Sequence, residues 1–197
     1  MVELQDIYAA ADRIAEHIRH TPVVRSRSLD ERIGAELFLK CENLQAAGAF
    51  KTRGACNAVF SLSDSEAARG VVTHSSGNHA AALSRAAVRR GIPAFIVMPR
   101  TSRPQKVSAV REFGGQITFC EPTLAAREAT ADRIMQETGA ALVHPYDDDR
   151  IIAGQGTAAL EMLQRHPDLD VIITPVGGGG LLGGTAVCAK ALKPDIT

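Results

Sequence analysis

The sequence has no surplus of charge of either sign, 22 Lys and Arg against 22 Asp and Glu in 197 residues. It therefore lacks the basic excess that marks a nucleic-acid partner or an anionic membrane surface. It also lacks a Cys-x-x-Cys pair: Cys41, Cys56, Cys120 and Cys188 stand far apart. That spacing fits neither a zinc site nor a small disulfide framework, and the reading is reduced thiols in a cytoplasmic protein. The opening "MVELQDIYAAADRIAEHI" carries acids early and has no basic stretch before an apolar core, so no secretory leader is expected. Strict repeats, low-complexity linkers and a Gly-x-x-x-x-Gly-Lys-[Ser/Thr] loop are missing too, which argues against a solenoid and against a P-loop NTPase. The uncharged stretch from Val171 to Ala189 contains six glycines and Pro175. A strand, a glycine loop and a helix start describe it better than a membrane span.

What is present is ordinary globular chemistry, 45% hydrophobic and 22% charged, enough to bury a substantial core. From residue 71 to 144 short apolar runs, "VVT", "AFIVM", "ITFC" and "ALVH", alternate with helical stretches. Gly91, Gly114 and Gly139 fall where those helices should stop. Alternating strands and helices predict right-handed crossovers and a parallel sheet covered on both faces. A second α/β unit is expected from a short strand within 35–42, a helix beginning near Phe50, the helix "IIAGQGTAALEMLQR", a strand at 170–176 and the helix "TAVCAKAL". The expected fold is thus α/β, two open parallel-sheet units, with residues 1–66 and 148–197 forming one and 67–147 the other. Because the chain ends where a further strand is anticipated, the larger unit is expected to be incomplete at the C-terminus.

Three constellations carry chemistry. "VGGGGLLGG" follows a strand and opens a helix, so its backbone N–H groups and the helix dipole form an anion site suited to a phosphate. Gly178, Gly180 and Gly183 also match the spacing of a dinucleotide-binding turn, although a row of glycines matches many patterns. "SSGNH", residues 75–79, lies at the carboxyl end of a strand, where open α/β sheets place ligands. The same residues would also serve as plain helix caps. Lys51, set in "GAFKTRGA", has small or apolar neighbours, and burial near a phosphate loop would make its amine a nucleophile rather than a surface charge. "YDDDR" (146–150) reads as acids stabilising a helix start, not a metal site. His17, His20 and His166 read as structural.

Together and in this order, "AFKTRGA", "SSGNHAAAL", "HPYDDDRIIAGQGTAALE" and "PVGGGGLLGG" resemble the fold type II pyridoxal-phosphate enzymes, in the branch of serine/threonine dehydratases and serine racemases. The resemblance runs from "HTPVVRS" to "KALKPDI" and implies that this is about the N-terminal two-thirds of such an enzyme. It implies pyridoxal 5'-phosphate as cofactor, carried by Lys51, whose amine also moves the α-proton. Phe50 would pack beside the ring and Asn78 would bond its phenolic oxygen. Gly177, Gly178, Gly179, Gly180 and Leu181 would hold the phosphate. Ser76 would act on the opposite face of the substrate. Ser75, Ser76, Gly77, His79 and Arg127 would surround the amino-acid substrate.

The implied activity is dehydration of a 3-hydroxy amino acid such as L-threonine or L-serine to a 2-oxo acid and ammonia, with serine racemisation if Ser76 returns the proton. A homodimer or higher homo-oligomer is implied, with no nucleic acid or membrane partner. The carboxylates of the family's divalent-cation site, and its partner for the pyridine nitrogen, would lie beyond residue 197, so no metal ligand is expected here. Ala49 and Ala80 depart from the family's usual serine and glycine. The alternatives are an NAD(P)-binding oxidoreductase using Gly178, Gly180 and Gly183, or a non-catalytic truncated form. Weak or absent activity is expected of residues 1–197 alone.

Overall fold

In the computed structural model, which describes residues 1–197, the alternation read from the sequence becomes a four-stranded parallel sheet. Its strands are β3 (Val71–His74), β4 (Ala94–Pro99), β5 (Gln116–Cys120) and β6 (Ala141–Leu142), in the order β5-β4-β3-β6. Helices α5 (Asn78–Arg90), α6 (Pro104–Glu112) and α7 (Leu124–Thr138) make the crossovers. Neighbouring strand residues point to opposite faces. Val71, Ile96 and Met98 accordingly join one apolar cluster, while Val72 and Val97 join another with Ala131 and Ile134 of α7. Gly91 and Gly139 cap α5 and α7 in the left-handed region, and Gly114 stands there just past α6, so all three expected helix stops are found.

The N-terminal part contributes α1 (Leu4–Ile14), β1 (Val23–Arg25), α2 (Arg27–Ile33), β2 (Phe38–Lys40), α3 (Lys51–Phe60) and α4 (Asp64–Ala67). The chain closes with α8 (Asp149–Arg165) and α9 (Gly180–Leu192). Strand β2 pairs antiparallel with β1. The expected strand at 170–176 does not join a sheet. Its backbone bonds only to Thr197, through Ile172 N–H to the Thr197 carbonyl and Thr197 N–H to the Asp170 carbonyl, each 2.9 Å. A strand needs a ladder partner along its length, and here Val171, Ile173 and Val176 remain exposed, Ile173 at 86%. The largest apolar cluster runs across residue 66, joining Ile14, Ala55 and Val59 to Val71, Leu83, Ile96 and Ile151.

Helix α8 is the axis of the second half. A methyl at Gly154 would stand 2.6 Å from the Gly54 Cα and 2.9 Å from the Arg53 carbonyl oxygen. One at Gly156 would meet the Gly184 carbonyl at 2.9 Å. Missing side chains at these positions let α3 and α9 approach α8 backbone to backbone. Polar pairs fix the contact: Gly54 N–H donates to Gln155 Oε1 at 3.3 Å and Asn57 Nδ2 to the Arg150 carbonyl at 2.7 Å.

At the same junction Arg53 is wholly buried. It donates to Glu42 at 2.8 and 2.9 Å, to Glu161 at 2.7 and 3.0 Å, and to Thr157 Oγ1 at 3.1 Å. Lys40 pairs with Glu161 as well. Burial alone would push the Glu161 carboxyl up, but Arg53 and then Lys40 hold it below the ordinary carboxylate range.

Replacing Gly154 with alanine is expected to destabilise the fold by about 1–3 kcal/mol, because backbone atoms cannot yield to the added methyl. Gly183→Ala is the control: its methyl would make an ordinary 3.6 Å contact with Ile152, and helix propensity favours alanine by roughly 0.5–1 kcal/mol. Urea unfolding midpoints should separate the two variants. Equal midpoints would remove close packing as the reason for Gly154.

Candidate active site

Lys51 is the first residue of α3, directly after Phe50, the N-cap. Its side chain is half-buried, and Nζ donates to the Pro145 carbonyl at 2.7 Å. The ammonium stands 5.3 Å from the centre of the Phe50 ring. Burial holds the amine below the ordinary lysine range, since nothing acidic compensates for the lost water. The surface-lysine alternative is thereby excluded.

Pro145 leads into Tyr146, whose ring packs where a side chain at Gly178 would have to be. A methyl at Gly180 would similarly stand 2.9 Å from the Tyr146 carbonyl oxygen. Gly179 has φ of 91°, a conformation that an L side chain disfavours, and the directions a methyl would take at Gly177 and Gly179 are open. The N–H groups from Gly177 through Leu182 donate to no protein acceptor, and the turn runs into the start of α9 at Gly180. A turn without side chains, with free N–H groups at the positive end of a 13-residue helix, fits a phosphate.

The second turn, Ser75–Gly77, links β3 to α5. Ser75 Oγ accepts from Gly77 N–H at 3.4 Å, Ser75 and Ser76 are partly exposed, and Asn78 is exposed with a free amide. The N–H groups of Ser75, Ser76, Asn78, His79 and Ala80 also lack a protein acceptor. A row of rings connects the two turns. Tyr146 meets His144 edge-on at 4.6 Å, and His144 meets His74, the last residue of β3, at 5.5 Å. His144 Nδ1 accepts from Asp147 N–H at 2.9 Å and Tyr146 N–H at 3.4 Å, which places its proton on Nε2. Burial, then the charge of His74, lower its pKa and keep it neutral.

Of the residues singled out in the sequence, Lys51, Gly178 and Gly180 meet Pro145–Tyr146, Phe50 lies beside Lys51, and Ser75–Asn78 follow His74 at the other end of the row of rings. His79 departs from its expected place beside a substrate. It is 2% exposed, its Nε2 lies 3.3 Å from the Val143 carbonyl, and burial followed by the Lys51 charge brings its pKa down to about 3. The first turn of α5 faces β6, so this ring lies beneath the turn. Arg127 lies in the first turn of α7, where its Nε donates to the Thr123 carbonyl at 3.4 Å. In "YDDDR", Asp148 caps α8 through Arg150 N–H at 2.9 Å and pairs with the Arg150 guanidinium at 2.7 Å. Ala49 is buried in extended backbone and Ala80 is fully buried. Pro145, His144 and Lys106 were not singled out as site residues by sequence.

A half-buried lysine amine and a side-chain-free, N–H-lined turn that meet on one segment of an α/β fold suit one class, the enzymes built around pyridoxal phosphate. Residues 14–197 match the model of the family described as pyridoxal-phosphate dependent enzymes, and the chain belongs to that family. It is 53% identical over 191 residues to the beta-hydroxyaspartate dehydratase of Paracoccus denitrificans (strain Pd 1222), covering 97% of this chain and 61% of that protein. It is also 53% identical over 194 residues to a serine racemase of Arabidopsis thaliana, covering 98% of this chain and 59% of that one. The solved structure of maize serine racemase superposes with a TM-score of 0.98 at 48% identity, over 99% of this chain and 59% of its own. The chain thus spans about 60% of the length of these relatives.

The lowered pKa of Lys51 makes a direct prediction. Modification of this amine by an amine-specific reagent, followed by mass spectrometry of its peptide, should show a pH midpoint below the ~10.4 of an unperturbed lysine. The neutral, reactive form is then present at lower pH than in a reference peptide. A midpoint at or above the reference would remove burial as the cause of activation.

Proposed function

We propose that this chain carries the cofactor-holding and proton-moving part of a pyridoxal-phosphate-dependent dehydratase. Its substrate is a 3-hydroxy amino acid such as L-serine or L-threonine, and its products are a 2-oxo acid and ammonia. The observation that carries the reading is the Lys51 amine, desolvated and held on the Pro145 carbonyl, next to the N–H-lined turn at Gly177–Leu182. The names of two relatives at equal identity, a beta-hydroxyaspartate dehydratase and a serine racemase, support both dehydration and racemisation. A dinucleotide reading of Gly178, Gly180 and Gly183 leaves Lys51 without a task.

Gly177, Gly178, Gly179, Gly180 and Leu181 would hold the phosphate through backbone N–H groups. Phe50 would flank the ring and Asn78 would donate to its phenolic oxygen. Bound there, the cofactor supplies an electron sink for the negative charge left at an α-carbon. Lys51 Nζ, already below the ordinary lysine range, takes the α-proton from one face. The β-hydroxyl of the substrate then departs with the electron pair of its C–O bond, and water releases ammonia. Ser75 and the free N–H groups of its turn orient the α-carboxylate. Ser76 Oγ faces the opposite side, and proton delivery from it gives racemisation in place of elimination. On this reading residues 67–147 form an inserted small domain between 1–66 and 148–197. The protein works in the cytoplasm as a homo-oligomer on free amino acids, with Arg127 a further candidate to hold the substrate carboxylate.

Borohydride reduction of the protein loaded with pyridoxal phosphate, followed by peptide mapping, should place the label on the peptide holding Lys51. Lys51→Ala should lose that label and the associated visible absorbance. A label elsewhere in a protein that demonstrably binds the cofactor would sink the reading. With serine as substrate, Ser76→Ala should abolish D-serine formation while pyruvate formation persists. Unchanged D-serine formation would remove Ser76 as the second-face group.

A further inference from the structure

Lysines in this fold are almost all paired. Lys40 is held by Glu161 and the Thr21 carbonyl, Lys51 by the Pro145 carbonyl, Lys190 by carbonyls near the C-terminus, and Lys193 by the Leu169 carbonyl near Asp170. Lys106 alone has neither an acid nor a carbonyl partner. Its position is not arbitrary. Strands β3 and β4 run parallel and side by side, with His74 opposite Val97, so the turn after β3 and the turn after β4 emerge at the same end of the sheet. Lys106 lies in the first turn of α6, entered from β4 through Arg100–Arg103. Its Nζ is the single group within 4 Å of where a methyl on Gly77 would point, at 3.6 Å. That distance is ordinary contact, so the exposed Lys106 side chain reaches to the Ser75–Gly77 turn.

On the reading given above, that end of the sheet must neutralise two anions, a phosphate and one α-carboxylate. The free N–H groups of Gly177–Leu182 and those of the Ser75–Ala80 turn account for them. The Lys106 ammonium is a positive charge left over, on the rim of the substrate turn, with its three donors unused. We infer that Lys106 recognises a second, side-chain carboxylate on the substrate, and so directs the site toward 3-hydroxyaspartate over serine or threonine. This inference rests on the proposed reading of the site but concerns only substrate choice. Lys106 is a specificity residue and moves no proton.

The test uses unreactive probes, so turnover is not needed. Calorimetric titration of the pyridoxal-phosphate-loaded protein with malate, a four-carbon dicarboxylate, is compared with glycerate, which has the skeleton of serine without its amine. Malate should bind more tightly, and its advantage should shrink as ionic strength rises. Lys106→Met keeps most of the apolar stem and removes the charge. It should weaken malate about tenfold, between the worth of an exposed ion pair and that of a charge-assisted hydrogen bond, and leave glycerate within about twofold. Lys106→Arg should keep most of the preference. Equal weakening of both probes, unchanged malate binding, or no binding of either probe to the parent protein would overturn the inference. Borohydride labelling of Lys51, run on the same preparations, shows separately whether the cofactor reading stands.

Discussion

Backbone-to-backbone contact around α8 is the constraint on which the site depends. Helices that carry side chains at their contact pack with axes about 8–10 Å apart, and here Gly54, Gly154, Gly156 and Gly184 remove the side chains that would keep α3 and α9 away. The close approach is what lets the Lys51 end of α3 and the Gly180 end of α9 converge on one short segment, Pro145–Tyr146. The buried guanidinium of Arg53, shared between Glu42 and Glu161, fastens α3 to α8 and to the turn before it. Such a buried cluster contributes little net stability over an apolar one, but losing one partner leaves charge stranded. Its value here is register: it holds α3 in one position along α8.

Unpaired N–H groups at two helix starts create local positive potential, while Asp147 and Asp148, just after Tyr146, act on the neighbouring His144 ring in the opposite sense. Desolvation disfavours a charged amine at Lys51, and desolvation followed by the Lys51 charge disfavours a charged ring at His79. A lysine amine held below its ordinary range and a side-chain-free, N–H-lined turn meet on one segment. His144 adds a fixed neutral ring between them, its proton direction set by two backbone donors.

Much of this was readable in the sequence because it rests on local chemistry. Glycines that end helices, a run of glycines after a strand, and a polar turn before "NHAAAL" each declare a backbone conformation within a few residues. The features that were not readable depend on partners distant in sequence. Nothing local says that the first turn of α5 faces β6, so His79 read as a substrate residue although it is buried against Val143. The apolar run at 170–176 has the composition of a strand, but a ladder is a property of two segments, and only Thr197 reaches it. Lys106 has no local signal of a role, since it is the parallel pairing of β3 and β4 that brings it to Gly77.

Tyr146 and Gly178 occupy what is in effect one volume, the ring filling the place of an absent side chain. Such a pair cannot drift independently over evolutionary time. A larger residue at 178 is admissible only after the ring at 146 has shrunk or turned away, whereas a smaller residue at 146 frees 178 without requiring it to change. The order of substitution in a lineage is therefore asymmetric, with position 146 changing first. The identity of residue 146 in turn sets how much room the glycine turn has to flex around whatever it holds.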